Sequence, residues 1–260
     1  MVILIVKEKQ KEIISYVLKY RFLNGVQIQK LLNHKNHSRI GIWLNELANT
    51  GYLRSYKNTK NPTIPAVYSL GPKARQYLKD NPEFKNIPTA LLDRIWREHK
   101  LSPQFRLHCQ LVADIYLSLV SLTNKTGAKL NFYSKTDLYG MNYLILPNPD
   151  AYFSIDEANG SKSYFFLDIF DELPPRMVLR KRVRQYFEYF DNEYWQDHAK
   201  KPFPNIILVC PDDRSKNYLY RFIQGVLETE PELAFYLTTW TEVKEKGLVR
   251  EALHKVDSNS

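Results

Sequence analysis

The chain has 260 residues, 44% hydrophobic and 13% aromatic, enough for one large domain or two ordinary ones with true cores. Its two cysteines, Cys109 and Cys210, lie far apart and outside any ligand spacing, which excludes a disulfide framework and a zinc finger and points to a reducing, cytoplasmic setting. No stretch approaches the roughly 20 apolar residues of a membrane span, and the apolar opening run at residues 1–6 is too short for a secretory segment.

The net charge of +9 is not spread evenly. Residues 1–80 hold ten lysines and four arginines against three glutamates and one aspartate, a net +10, so residues 81–260 sum to −1. A basic module joined to a near-neutral body suggests a nucleic-acid reader attached to something else. The plain alternative is a solvated, lysine-rich surface.

In chain order, residues 7–20 place Ile13, Ile14, Val17 and Leu18 on one helical face. Residues 25–32 form a short second helix with Ile28, Leu31 and Leu32 inward. Asn36 or Ser38 caps a third, in which Ile40, Leu44 and Leu47 recur at helical spacing and Gly51 stands just past the end. Residues 52–57 and 66–70 read as two strands around a polar, proline-bearing tip, and a helix follows from Pro72. Helix, helix, helix, hairpin is the order of a winged helix-turn-helix, whose third helix enters the major groove of duplex DNA. With Ile40, Leu44 and Leu47 inward, the outward face carries His37, Ser38, Arg39, Gly41, Ile42 and Asn45. Arg39 suits a guanine edge and Asn45 an adenine edge. Arg54, Lys57 and Lys60 on the wing suit phosphates, which position without specifying sequence. Trp43 is assigned to the core.

Residues 81–90, polar with two prolines, read as a linker between a domain at 1–80 and another at 91–260. Residues 91–123 read as helix with a break at Ser102-Pro103, its second part striped by Leu107, Leu111, Ile115 and Leu119. His108 and Asp114 lie off that stripe, and the histidine is read as structural. Residues 130–134 and 142–146 look like short strands. Two longer strands, residues 147–155 and 164–170, flank a polar turn at 156–163 centred on Asn159-Gly160. Reflection across that turn sets Asp150 opposite Asp168. A register shifted by one residue instead points the two carboxylates to opposite faces, and the sequence leaves both open. Directly opposed carboxylates call for compensation, for which a divalent cation is the usual agent. A long helix with Leu179, Val183, Tyr186, Phe187 and Phe190 inward, a buried strand at 205–210 and a helix at 214–228 complete a mixed α/β layer fold. The tail after Leu253 is polar and reads as frayed.

Taken together, LNELANTGYLRS with VYSLGPKARQYL, then HCQLVADIYLSL, Pro149-Asp150-Ala151, FFLDIF, RVRQYFEYF and IILVCPDDR resemble the replication-relaxation proteins of plasmids and integrative elements. The resemblance implies an α+β chain: a winged helix followed by a restriction-endonuclease-like, PD-(D/E)xK domain whose site is Asp150 and Asp168. Active nucleases of that fold carry a lysine two residues after the second acid; here that position is Phe170, with Asp171 beside it. Family members show a lysine and then a tyrosine in the following helix, matched by Arg182 and Tyr186. If the domain cleaves, Asp150 and Asp168 hold Mg²⁺ or Mn²⁺ and Lys181 replaces the missing lysine; Lys162 in the turn is poorly placed.

Three readings remain. The first is a sequence-specific duplex-DNA-binding protein with a degenerate nuclease-like scaffold and no cofactor. The second is a metal-dependent endonuclease or relaxase that nicks at an origin. The third is a transcription regulator with a partner-binding body. Plasmid replication or transfer proteins are the expected further partners, and a homodimer stays open.

Overall fold

The computed structural model describes residues 6–141, 143–144, 147–171, 174–227 and 233–257. They group into two compact units, Met1–Ala113 and Asp114–Ser260.

The first unit runs α1 (Glu8–Tyr20), β1 (Leu23–Asn24), α2 (Gly25–Leu31), α3 (His37–Asn49), β2 (Leu53–Tyr56), β3 (Val67–Leu70) and α4 (Pro72–Asp80). Local chemistry sets the boundaries. Asn24 accepts the Gln27 amide at 2.9 Å while Gln27 Oε1 accepts the Asn24 amide at 3.1 Å, a reciprocal cap that starts α2. Of the two caps considered for α3, Asn36 serves, its Oδ1 accepting the Arg39 amide at 3.0 Å. Gly51 ends the turn after α3 at φ +85°, a conformation that favours glycine. Gly71 is held beside it: a side chain there would collide with the Gly51 carbonyl. The helices bury Ile13, Ile14, Val17, Ile28, Ile40, Leu44 and Leu47. The strands form an antiparallel sheet in the order β1-β3-β2, with Leu53 opposite Leu70 and Tyr56 opposite Val67.

The segment expected as a linker, 81–90, is ordered within this unit. Pro82–Phe84 makes a 3₁₀ turn, and α5 (Thr89–Arg94) follows. Arg75 Nη2 meets Asp93 Oδ1 at 2.6 Å, and Arg94 Nη2 donates to the Leu18 carbonyl at 2.9 Å. The buried Glu98 carboxylate takes Arg21 at 3.0 Å and Arg94 at 3.3 Å. The two units divide within α6 (Pro103–Thr126), after Ala113. Prolines and polar caps mark short turns as well as linkers, so composition alone does not separate the two.

The second unit holds the rest of α6, then β4 (Lys129–Ser134), β5 (Ala151–Asp156), β6 (Lys162–Ile169), α7 (Arg176–Asp191), α8 (Tyr194–Ala199), β7 (Asn205–Cys210), α9 (Asp213–Leu227), β8 (Phe235–Thr239), α10 (Trp240–Lys246) and β9 (His254–Lys255). A six-stranded sheet follows chain order from β4 to β9. β4, β5 and β6 pair antiparallel, β6, β7 and β8 parallel, and β9 antiparallel to β8. Side chains alternate across the pleat. One face sends Tyr152, Phe166, Ile206, Leu208, Cys210, Phe235 and Leu237 into a core with Leu179, Val183 and Tyr186 of α7 and Leu219 and Ile223 of α9. Phe166 is its hub, with ring centroids of Trp195 at 5.0 Å, Tyr152 at 5.7 Å, Phe203 at 5.8 Å and Tyr186 at 6.0 Å. The other face stacks Phe132, Phe153 and Phe165, with Tyr116 of α6 against Phe132 at 5.2 Å.

Three further expectations need amendment. The strand expected at 142–146 falls partly outside the described residues, and the described Tyr143 and Leu144 are not strand. Leu107 is 46% exposed, so the buried stripe of α6 begins at Leu111. The tail is not frayed at 254–256: β9 pairs with β8, the Val256 amide donates to the Phe235 carbonyl at 2.9 Å, and Val256 is buried. No helix among the described residues is long and apolar enough to cross a membrane.

Candidate nucleic-acid interface and carboxylate site

On the first unit, α3 separates its residues as helical spacing requires. Ile40, Trp43, Leu44 and Leu47 are buried, and His37, Ser38, Arg39, Ile42 and Asn45 are exposed, with Gly41 between the two classes. Trp43 is therefore core, as expected; the His34 ring packs on it at 5.1 Å and the Arg39 guanidinium lies 5.7 Å from its centroid. His37 Nδ1 is 3.0 Å from Gln29 Oε1, which ties the start of α3 to α2. Ile42 is 47% exposed, an unburied branched side chain in the middle of the outward row. Lys57 and Lys60 are exposed between β2 and β3. Asn58 orders that tip, its Oδ1 accepting the Lys60 and Asn61 amides at 3.0 and 2.9 Å. Arg54, on β2 opposite Ser69, is half-buried.

On the second unit, the β5–β6 ladder runs from Asp156 opposite Lys162 to Ala151 opposite Leu167. One further step sets Asp150 opposite Asp168, the register that opposes the two acids. The ladder changes character at this end. The Asp150 amide donates to the Leu167 carbonyl at 2.9 Å, and Asp150 Oδ2 accepts the Ile169 amide at 2.9 Å. The carboxylate thus takes a strand amide that a backbone carbonyl would otherwise satisfy. Both acids are buried, Asp150 at 8% exposure and Asp168 at 3%.

Each acid has a cation. Lys135, just after β4, donates its backbone amide to the Asp150 carbonyl at 2.9 Å and brings Nζ to 3.5 Å from Asp150 Oδ1. From α7, Arg182 Nε stands 3.4 Å from Asp168 Oδ2, and one turn on the Tyr186 hydroxyl donates to that same oxygen at 2.7 Å. Burial pushes the Asp168 carboxyl up from the usual 3.8 to about 6; Arg182 opposes the rise, the nearby Asp150 charge adds to it, and the Tyr186 hydrogen bond opposes it. Burial, then the Asp168 charge, raises the Tyr186 phenol well above its usual value, so it stays a proton donor. Burial pulls the Arg182 guanidinium down, but Asp168 outweighs it and the net shift is upward.

Lys181 is not the cation that meets the acids. It lies one residue round α7, exposed, in a surface cleft with Arg180 and Arg184, and Arg182 makes the contact. Successive residues on a helix are turned by about 100°, so neighbours in sequence face different ways. Lys135 was invisible to motif reading because only the β4–β5 register brings it to Asp150. Lys162 pairs with Asp156 at 2.9 Å, away from the acids. Phe170 is buried in the apolar core, and its carbonyl accepts the Trp240 indole N–H at 2.9 Å.

This donor set does not suit a divalent cation. Lys135 and Arg182 already neutralise the two carboxylates, and Tyr186 and the Ile169 amide aim hydrogens at their lone pairs. No cluster of three or more acid, histidine or cysteine ligands occurs among the described residues.

No curated protein and no solved structure matches the chain. A family model described as replication-relaxation matches residues 15–206, from the first helix through the carboxylate site to the start of β7. On that match the chain belongs to the replication-relaxation family.

Proposed function

We propose that this protein binds duplex DNA in the replication of a plasmid or other mobile element. In this reading the first unit is a winged helix with α3 as its recognition helix, and the second is a restriction-endonuclease-like scaffold that has lost its cleaving site. The outward row His37, Ser38, Arg39, Ile42 and Asn45 on α3 carries the reading, because every one of these residues is exposed while Ile40, Trp43 and Leu44 between them are buried. The net +10 of residues 1–80 supports it, since phosphate neutralisation supplies much of the affinity of such modules. Arg39 and Asn45 read base edges, and Lys57 and Lys60 hold phosphates. In the second unit, Phe170 in the core and the internally neutralised acids support a scaffold role.

The test is incubation of the protein with supercoiled plasmid from its own element, with Mn²⁺ or with EDTA, beside gel retardation of duplex fragments. Intact plasmid, and salt-sensitive retardation that Arg39→Ala weakens and Asp150→Ala does not, is the expected result. Metal-dependent nicking lost in Asp150→Ala would overturn the scaffold assignment. Retardation indifferent to Arg39→Ala would overturn the recognition helix.

A further inference from the structure

The second unit is net acidic, with 18 lysines and arginines against 21 aspartates and glutamates over residues 114–260, yet α7 gathers a row of arginines on one face. Arg176, Arg180 and Arg184 stand at successive i, i+4 positions on α7 and line a cleft of about 600 Å³ with Met177, Lys181, Tyr218 and one acid, Glu188. A smaller neighbouring cleft shares Arg176 and Tyr218 and adds Arg214 of α9 together with the acid Asp212.

The arginines are held rather than loose. The Arg176 guanidinium lies 4.7 Å from the Tyr218 ring centroid, Arg180 lies 5.4 Å from both Tyr218 and Phe222, and Arg184 lies 5.7 Å from Phe222. The aromatic faces of α9 attract these cations and limit how far the side chains swing. All three are exposed, and among the described residues none is ion-paired to a carboxylate. The Asp168 partner on this helix is Arg182, on another side. Like charges at i, i+4 repel weakly on an exposed helix, and a bound polyanion turns that repulsion into attraction. The i, i+4 rise along a helix is about 6 Å, close to the step between consecutive phosphates of a strand, and planar forks match phosphate oxygens.

We infer that the Arg176–Arg180–Arg184 row is a second, sequence-independent DNA contact that grips the phosphate backbone of a duplex. This rests on the reading of the protein as a duplex-DNA binder. It adds affinity and not discrimination, because phosphates carry no base identity. Met177, 77% exposed beside the row, offers an apolar surface to sugar edges.

The experiment compares full-length wild type, the triple variant Arg176→Gln/Arg180→Gln/Arg184→Gln, and Arg39→Ala. Each is titrated with a labelled duplex from its own element and a random duplex across a salt series, after a thermal melt confirms folding. The triple variant is expected to flatten the slope of log affinity against log salt by about three, at ~0.9 per lost phosphate contact, and to keep its preference for the element's duplex. Arg39→Ala is expected to lose that preference and keep the slope to within about one phosphate contact. A triple variant with unchanged slope and random-duplex affinity overturns the second contact while the recognition helix stands; wild type that binds neither duplex overturns both. If the triple variant does not fold, Arg180→Glu replaces it, and an unchanged slope there is equally overturning.

Discussion

The Tyr186 hydroxyl donates to Asp168 Oδ2 across 2.7 Å, in the same buried pocket where Arg182, one helical turn earlier, approaches that oxygen at 3.4 Å. A tyrosine and an arginine from one helix therefore hold one carboxylate of a pair, and Lys135 from a strand end holds the other. The pair is satisfied from within the protein. A buried charge network of this kind stabilises when complete and destabilises when one member is removed.

Tyr186→Phe deletes the hydrogen bond and leaves the Asp168 oxygen short of a donor in a buried site. The expected cost is about 1–3 kcal/mol, read from urea unfolding. The Asp168 carboxyl should titrate above its present value of about 6, because the bond that favours its charged form is gone. Carboxyl chemical shifts followed against pH measure this, and a downward or absent shift contradicts the assignment.

Asp168 also predicts a pH dependence of stability. Its folded value, about 6, lies above the unfolded 3.8, so the fold favours the protonated acid. The associated stability is fully present below pH ~4 and is lost as pH rises through ~6. Relative to Asp168→Asn, wild type should lose up to about 3 kcal/mol across that window. The difference between the two urea midpoints, followed from acid to neutral pH, reports the effect, and a flat difference refutes it.

Phe170→Lys recreates the lysine spacing of active nucleases but puts an ammonium into the apolar core that also holds Leu179 and Val183. It should destabilise by several kcal/mol and confer no metal-dependent nicking. Nicking by a folded variant would show that the carboxylate pair does accept a cation.

Arg39→Ala should weaken binding to the preferred duplex by about 1–3 kcal/mol and affect random duplex far less. Lys57→Ala and Lys60→Ala should weaken both duplexes alike and reduce the salt slope by about one each. Fluorescence anisotropy across a salt series separates the two behaviours. A Lys60→Ala variant that changes sequence preference would overturn the proposed positioning role of the β2–β3 tip.

Sequence by itself determined the helices and hairpin of residues 7–80, the strands around Asn159-Gly160, the helix, strand and helix that follow, and the outward face of α3. Periods of 3.6 and 2 record which side chains meet water, so Ile40, Leu44 and Leu47 had to turn inward and Arg39 and Asn45 outward. The turn at Asn159-Gly160 likewise implied which residues of two strands face each other, although only backbone pairing chose between the two registers. The tertiary structure alone decided which cations reach the acids. Lys135 is 15 residues before Asp150 and reaches it through the register of β4 on β5. Arg182 displaced Lys181 because the packing of Val183 and Tyr186 fixes the rotation of α7. The arginine row on α7 shows the same division. Its spacing is written in RMVLRKRVR, but its cation–π contacts depend on Tyr218 and Phe222 of another helix, which no local pattern encodes.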